Sequence, residues 1–280
     1  MMYKKLFRAW RPGRGFLAVV VAVLLSLIFA PLVPAEENPA KQSDWEYAVK
    51  PYVWAVSLKG DLTVKGNTSD IDLKFSDVWD ELNIGGMLEF EGRNPKQKWG
   101  FYGRAIYADL GKDKSAGRLV IDPSITITWL SLGGVYRIGT WDLSEEGGKT
   151  KPTVTVDTYM GLRYTAFDLE VTFEGLPIPK KEEKEEWVDP LFGLRTIWQL
   201  SERWRLLLSA GISGIAFGSD FGWDAFGVLG YQFSLFGNDN ATVFVGYKAL
   251  SQDYDDGEGT EKFEWDMTAH GPLTGLKITF

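Results

Sequence analysis

The chain has 280 residues, with 30 basic and 38 acidic side chains, a net charge of −8, 45% hydrophobic residues and no cysteine. An acidic balance disfavours nucleic acid, whose phosphates need a basic surface. Without cysteine there is no disulfide framework, thiolate metal site, thiol nucleophile or lipid-bearing thiol.

At the N-terminus, Lys4, Lys5, Arg8, Arg11 and Arg14 stand without an acid before the uncharged run from Phe16 to Ala30, and Val33-Pro34-Ala35 offers small residues for cleavage. That order of a basic stretch, an apolar stretch and small residues is a secretory signal peptide. A retained anchor is the poorer reading, because the run falls short of the roughly 20 apolar residues that a helical span needs. Residues 1–35 are therefore expected to be a cleaved leader and residues 36–280 the mature domain. Losing the leader leaves 25 basic against 38 acidic residues, a net of −13.

After Ala35 no uncharged run reaches helical spanning length, and alternating polarity dominates over helical spacing. Ten strands are expected: Trp45 to Leu58, Leu82 to Arg93, Trp99 to Leu110, Asp122 to Thr140, Thr153 to Phe173, Trp187 to Leu200, Arg203 to Ala216, Phe221 to Phe236, Ala241 to Asp253 and Phe263 to Phe280. Tight connections such as Asn94-Pro95-Lys96-Gln97-Lys98 and Ser201-Glu202 alternate with longer, more charged ones such as Lys59 to Glu81 and Glu174 to Glu186. Short turns on one side and long loops on the other are the arrangement of a transmembrane antiparallel up-and-down β-barrel; 8 or 12 strands remain open alternatives. Leu62 to Leu73 is the segment that could form an extra hairpin above the membrane.

Side-chain parity has two solutions. In the fifth strand Val154, Val156, Met160, Leu162, Tyr164 and Ala166 oppose Thr155, Asp157, Tyr159, Arg163 and Thr165. A soluble sandwich would bury the first set and a membrane barrel the second. Aromatic placement favours the barrel: Trp99, Trp141, Trp204 and Phe280 fall at one end of the strands, and Tyr107, Trp187, Trp223, Tyr247 and Trp265 toward the other, as lipid–water boundaries require.

The chain closes on GPLTGLKITF, with Leu276, Ile278 and Phe280 on alternate positions. This ending resembles the signal by which Gram-negative barrels are recognised by the outer-membrane assembly machinery. YMGLRYTAFDLEVTF, WVDPLFGLR and GYKALSQDYDDGEGTEKFEWDMTAHGP, together with that ending, are similar to a widespread family of uncharacterised proteobacterial outer-membrane β-barrels. The resemblance covers most of the mature chain; it implies an outer-membrane location and implies no reaction. The partners to expect are outer-membrane lipids, lipopolysaccharide and the barrel assembly machinery; no cofactor is expected.

With the apolar face outward, the inward charges are Glu89, Glu91, Arg93, Arg104, Arg137, Asp157, Arg163, Asp189, Arg195, Arg205, Asp224, Lys248 and Lys277. They read either as a packed interior of paired charges or as a narrow channel for small polar solutes. No enzyme is expected. The alternative is an outer-membrane hydrolase or acyltransferase acting near His270, the lone histidine, although parity counted from Phe280 turns that ring toward lipid. The acidic run Asp253 to Gly259 could hold a divalent cation but misses the calcium-loop spacing. Lys180 to Glu186 reads as a charged external loop.

Overall fold

The computed structural model describes residues 44–111, 114–116, 119–143, 152–174, 181–235 and 238–280. The expected leader lies outside the described residues. Along the chain run β1 (Glu46–Trp54), β2 (Ser57–Val64), β3 (Asn67–Leu73), helix α1 (Phe75–Glu81), β4 (Leu82–Arg93), β5 (Trp99–Gly111), β6 (Lys114–Ala116) and β7 (Leu119–Asp142). They are followed by β8 (Thr153–Glu174), β9 (Lys181–Gln199), β10 (Trp204–Ser213), β11 (Phe221–Leu235), β12 (Asn238–Asp256) and β13 (Phe263–Thr279).

Ten of these strands form a closed antiparallel barrel in the order β1-β4-β5-β7-β8-β9-β10-β11-β12-β13, with β13 returning to β1. Closure gives each strand a hydrogen-bonded neighbour on both sides, the condition for crossing hydrocarbon with strands, although the β1–β4 pairing stops at Pro51↔Leu88. The seal is made next to the C-terminus, where Tyr47 and Phe280 exchange two backbone hydrogen bonds of 2.9 Å.

The first expected strand, Trp45 to Leu58, is interrupted. β1 pairs with β13 from Ala48↔Thr279 to Trp54↔Leu273, and β2 resumes in the same register at Ser57↔His270. Between them the Ala55 N–H still donates to the Pro272 carbonyl at 2.9 Å. β3 then folds back on β2, from Leu58↔Leu73 to Val64↔Asn67, so Leu62 to Leu73 belongs to the additional hairpin that the sequence left open. The expected loop at Lys180 to Glu186 is corrected too: from Lys181 the chain is already β9, and Glu186 pairs opposite Ala166.

Alternation decides which face is which. On β8, Asp157 is fully buried while Met160 is 59% exposed; on β9, Asp189 is fully buried while Leu194 is 54% exposed. Apolar side chains face outward and ionic ones inward, the reverse of a water-soluble protein. Further along the same strands the pattern turns over. The inward positions become Phe167 on β8, Trp187 on β9, and Phe263, Trp265 and Met267 on β13, all buried. The outward neighbours there are charged: Lys184 bonds Asp168 at 2.9 Å, and Lys262 bonds Glu264 at 2.6 Å. A wall that is oily outside at one level and ionic outside at the next has left the lipid and continued into water. Trp187 and Trp265, expected on the outer rim, are therefore interior residues of the extension, whereas Trp99, Trp141, Trp204, Trp223, Tyr247 and Phe280 are outward and exposed.

One close approach fixes wall composition. Tyr159 reaches across from β8 so that a Cβ at Gly193 would fall on its ring, and one at Gly211 would stand 2.7 Å from its hydroxyl oxygen. Among the described residues no helix is long and apolar enough to cross a membrane. Leu194, outward near the middle of β9, provides a test of orientation: Leu194→Arg should lower unfolding free energy in lipid vesicles by about 2–4 kcal/mol. Denaturant titration of the refolded protein reads it, and an unchanged midpoint would remove lipid from that face.

Candidate functional site: an interior chamber

Each inward ionic side chain comes from an alternate position of a lipid-facing stretch, so the wall strands project their charges toward one axis. Asp157 on β8 accepts from Arg93 at 2.5 Å, Arg195 at 2.9 Å and Arg137 at 3.1 Å. Glu91 on β4 takes the Arg195 fork at 2.9 and 3.0 Å, the Arg93 Nε at 2.8 Å and Lys50 Nζ at 3.0 Å. Glu89, also bonded by Lys50, carries the chain on to Arg104 at 2.9 Å. Three carboxylates thus hold five cations in one buried network. Asp224 on β11 separately bonds Arg163. Buried ions are tolerated when paired and hydrogen-bonded, and removing one member strands the others.

Beside this network lies a cavity of about 400 Å³. It reaches from Gln97 and Gln199, next to short turns, up to Trp129, Leu250 and Leu273. Its lining contains nine basic side chains, Lys50, Arg93, Arg104, Arg137, Arg163, Arg195, Arg205, Lys248 and Lys277, against four acidic ones, Glu46, Glu89, Glu91 and Asp224. Even with buried Asp157 added, positive charge is in excess. Three guanidinium nitrogens, Arg93 Nη1, Arg163 Nη1 and Arg195 Nε, are buried without a protein partner. Arg104 lies over the rings of Tyr102 at 4.8 Å and Tyr159 at 5.2 Å. Lys248 lies over Trp54 at 4.8 Å and Tyr52 at 5.7 Å. Among the described residues neither Lys248 nor Lys277 has a carboxylate within 4 Å.

Toward the long-loop end the interior is filled. A buried apolar cluster includes Trp54, Ile106, Ile127, Trp129, Phe167, Trp187, Leu250, Phe263, Trp265 and Met267. Trp187 stacks on Tyr254 with ring centres 4.2 Å apart. A polar pin runs through it: Trp129 Nε1 donates to Gln252 at 2.6 Å, and Gln252 donates to Asp189 at 2.9 Å. Asp189 also accepts from the Ser219 backbone N–H at 2.6 Å and its hydroxyl at 2.8 Å. Gly218, at φ +86°, lets the backbone pass where a Cβ would overlap the Asp189 carboxylate. Asp189 is therefore interior but belongs to this roof, apart from the chamber that the other inward charges, Asp157 excepted, line.

The remaining sequence candidates fall elsewhere. His270 faces outward on β13 and shares a 2.7 Å hydrogen bond with the Tyr247 hydroxyl, away from the chamber. Leu276, Ile278 and Phe280 alternate on the outer face beside the closing β1–β13 edge. Among the described residues no group of three or more His, Cys, Asp or Glu could hold a metal ion, the acidic run at Asp253 included. Sequence reading missed Lys50 and Tyr52, although parity in β1 sets them opposite Val49 and Val53.

No protein-family model matches the chain, and no curated protein matches it. The family suggested by Trp187–Arg195 and the closing segment is thus supported only as far as the outer-membrane barrel architecture. Among solved structures the chain is similar to the attachment invasion locus protein Ail of Yersinia pestis in complex with the heparin analogue sucrose octasulfate, at 11% identity, over 84% of this chain and 98% of that one, with a TM-score of 0.37. It is similar to the outer membrane protease OmpT of Escherichia coli at 10% identity, over 87% and 99%, with a TM-score of 0.48. It is also similar to the translocator domain of the autotransporter NalP from Neisseria meningitidis at 11% identity, over 93% and 95%, with a TM-score of 0.32. No residue role is carried across at this distance. The expectation that the chain is not an enzyme is withdrawn: a protease stands among the proteins of similar fold, so this architecture does not exclude catalysis.

Asp157 is the carboxylate on which three guanidiniums converge. Asp157→Asn should cost about 3–5 kcal/mol, because it leaves buried cations short of a counter-charge. Urea unfolding of the reconstituted protein measures this, and a loss below 1 kcal/mol on the order of a surface pair would dissolve the network as a structural element.

Proposed function

We propose that the protein resides in the outer membrane of a Gram-negative envelope, exported by a leader ending at Ala35, and that its interior binds small anionic solutes in a dead-end chamber. The observation that carries this reading is the chamber's excess of positive charge beneath an apolar roof. In a protein whose mature charge is −13, interior cations that outnumber interior carboxylates form a local field of opposite sign. The chamber volume of about 400 Å³ suits one small molecule. Among the described residues, tightly packed indoles and phenyl rings fill the interior above it, crossed only by the fully paired Trp129–Gln252–Asp189 pin, which favours a binding role over a channel. The outward series Leu276, Ile278, Phe280 serves as the signal for the assembly machinery, and the oily belt meets lipid and lipopolysaccharide.

Two measurements test this. Planar bilayers containing the refolded protein should stay silent, while joint Trp129→Ala and Trp265→Ala substitution should produce discrete steps; steps from the wild type would replace the chamber by a channel. Equilibrium binding of inorganic phosphate should weaken about tenfold when Lys277→Gln and Arg205→Gln are combined, the size expected for losing favourable charge contacts.

A further inference from the structure

Among the described residues the pairing between β1 and β4 stops short of the far ends of both strands. β1 and β4 pair from Glu46↔Arg93 to Pro51↔Leu88, and the ladder ends there. Pro51 has no N–H to continue it. Beyond that point Tyr52, Val53 and Trp54 pair with β13, and Leu82–Met87 with β5, but not with each other. The chain leaves β1 through Ala55 and Val56 for β2, whose far side is occupied by β3. Helix α1, which touches β2, β3 and β5, stands at the outer end of the resulting seam.

The level of the seam is fixed by register. Tyr52 is opposite Gly275 and Trp54 opposite Leu273, in the stretch of β13 that ends in outward Leu276 and Ile278, below the change to outward Asp266 and Glu264. The seam therefore faces lipid at Val53 and Gly86, and reaches the water boundary at its outer end, where Asn83 donates to Asp109 at 3.1 Å. Its surroundings agree: Val53, Ile84 and Trp79 are each more than half exposed, Gly85 and Gly86 are exposed, and a Cβ on Gly86 would meet nothing within 4 Å. Unpaired strand edges in hydrocarbon are costly, so such a seam is a place where the wall accommodates a polar group.

Directly behind it, Tyr52 lines the chamber and Trp54 sits in the buried roof cluster, with the Lys248 ammonium against both rings. Lys248 is 9% exposed and has no carboxylate within 4 Å among the described residues, while Asp224 in the same cavity is held by Arg163. Aromatic faces stabilise a buried ammonium only in part, and an arriving carboxylate or phosphate would add a charge-assisted hydrogen bond. We propose that the β1–β4 seam is a lateral portal from the lipid into the chamber, and that its ligand is a single-chain amphiphile whose anionic head pairs with Lys248 while its tail trails back through the seam. This rests on the chamber reading above and adds the ligand class and its route.

The experiment uses the full mature chain in phosphatidylcholine vesicles containing a photoactivatable diazirine fatty acid, with adducts mapped by mass spectrometry. Because the chain has no native cysteine, Val53→Cys with Gly86→Cys places two outward thiols on opposite sides of the seam, to be joined by oxidation or by a short bis-maleimide. The expected result is adducts on Tyr52, Trp54 and Met87 that fall about tenfold when the thiols are joined, and by a similar factor in Lys248→Met, with adducts on the outer belt unchanged. Interior adducts that persist in the joined protein overturn the portal, as do wild-type adducts confined to the outer face. A phosphate-headed probe of equal chain length should label the same positions, and a trimethylammonium-headed one should not; equal labelling by the cation overturns the headgroup assignment. Phosphate binding by the joined protein separates the two readings. If phosphate binds and the probe is excluded, the portal stands; if phosphate binds and the probe still enters, the portal alone fails; if wild type binds neither, the chamber reading fails first.

Discussion

Every feature of this molecule follows from the requirement that charge find charge inside the wall, because hydrocarbon outside can solvate none. Asp157 answers Arg93, Arg137 and Arg195 at once, and Glu91 shares two of those cations and adds Lys50. The participants come from β1, β4, β7, β8 and β9, so the network ties strands that are not all neighbours in the sheet. Strand alternation alone would permit a slip by two residues without changing faces. A two-residue slip of β8 would carry Asp157 away from all three guanidiniums, so the ions add register specificity to what the oily face specifies only by parity.

The same principle read at a higher level explains why the interior has two halves. Where the outer face is Leu, Val and Met, the inner face is ionic. Where the outer face becomes Asp168, Lys184, Glu264 and Asp266, the inner face becomes Phe167, Trp187, Phe263 and Trp265. Nothing about the strands changes except the solvent, and burial follows it: apolar surface avoids water there, just as charge avoids lipid below. The roof is thus the small hydrophobic core of the portion that stands in water, and the chamber is what remains underneath, where mutually repelling cations and a shortage of carboxylates prevent complete filling.

Much of this was legible beforehand because period-2 alternation and turn chemistry are local. Leu82–Arg93 was bounded by a proline-containing turn and matched residue for residue, and the outward placement of His270 followed from counting back from Phe280. The reversal of solvent was not legible, because it leaves the period intact and exchanges only the meaning of each face. That is why Lys181–Glu186, a charged run, reads as a loop though it forms a water-bathed strand, and why Trp187 and Trp265 read as rim aromatics though they are core. The break at Ala55-Val56 was hidden for a different reason: β2 keeps the register of β1 on β13, so no single strand's pattern betrays that β4 has been exchanged for β3 on the other side. The cation excess of the chamber depends on distances across the lumen, which no linear pattern contains.

Sign and location together bear on how an anion could reach those cations. The long-loop end presents Asp61, Asp70, Asp72, Asp77, Asp80, Glu258 and Glu261 within or beside the β2–β3 hairpin, α1 and the β12–β13 connection. A free anion approaching from that side meets a repelling field and then the aromatic roof, while the chamber's own field is largely shielded by both. An anion carried on an apolar tail in the bilayer meets neither obstacle. It travels at the level of Tyr52 and Trp54, where the wall between β1 and β4 is already unpaired and Lys248 lies immediately inside. An acidic exterior and a cationic interior conflict if the ligand comes through external water. They are consistent if it comes through the lipid, because the charges that exclude the aqueous competitor then leave the lipid-borne ligand untouched.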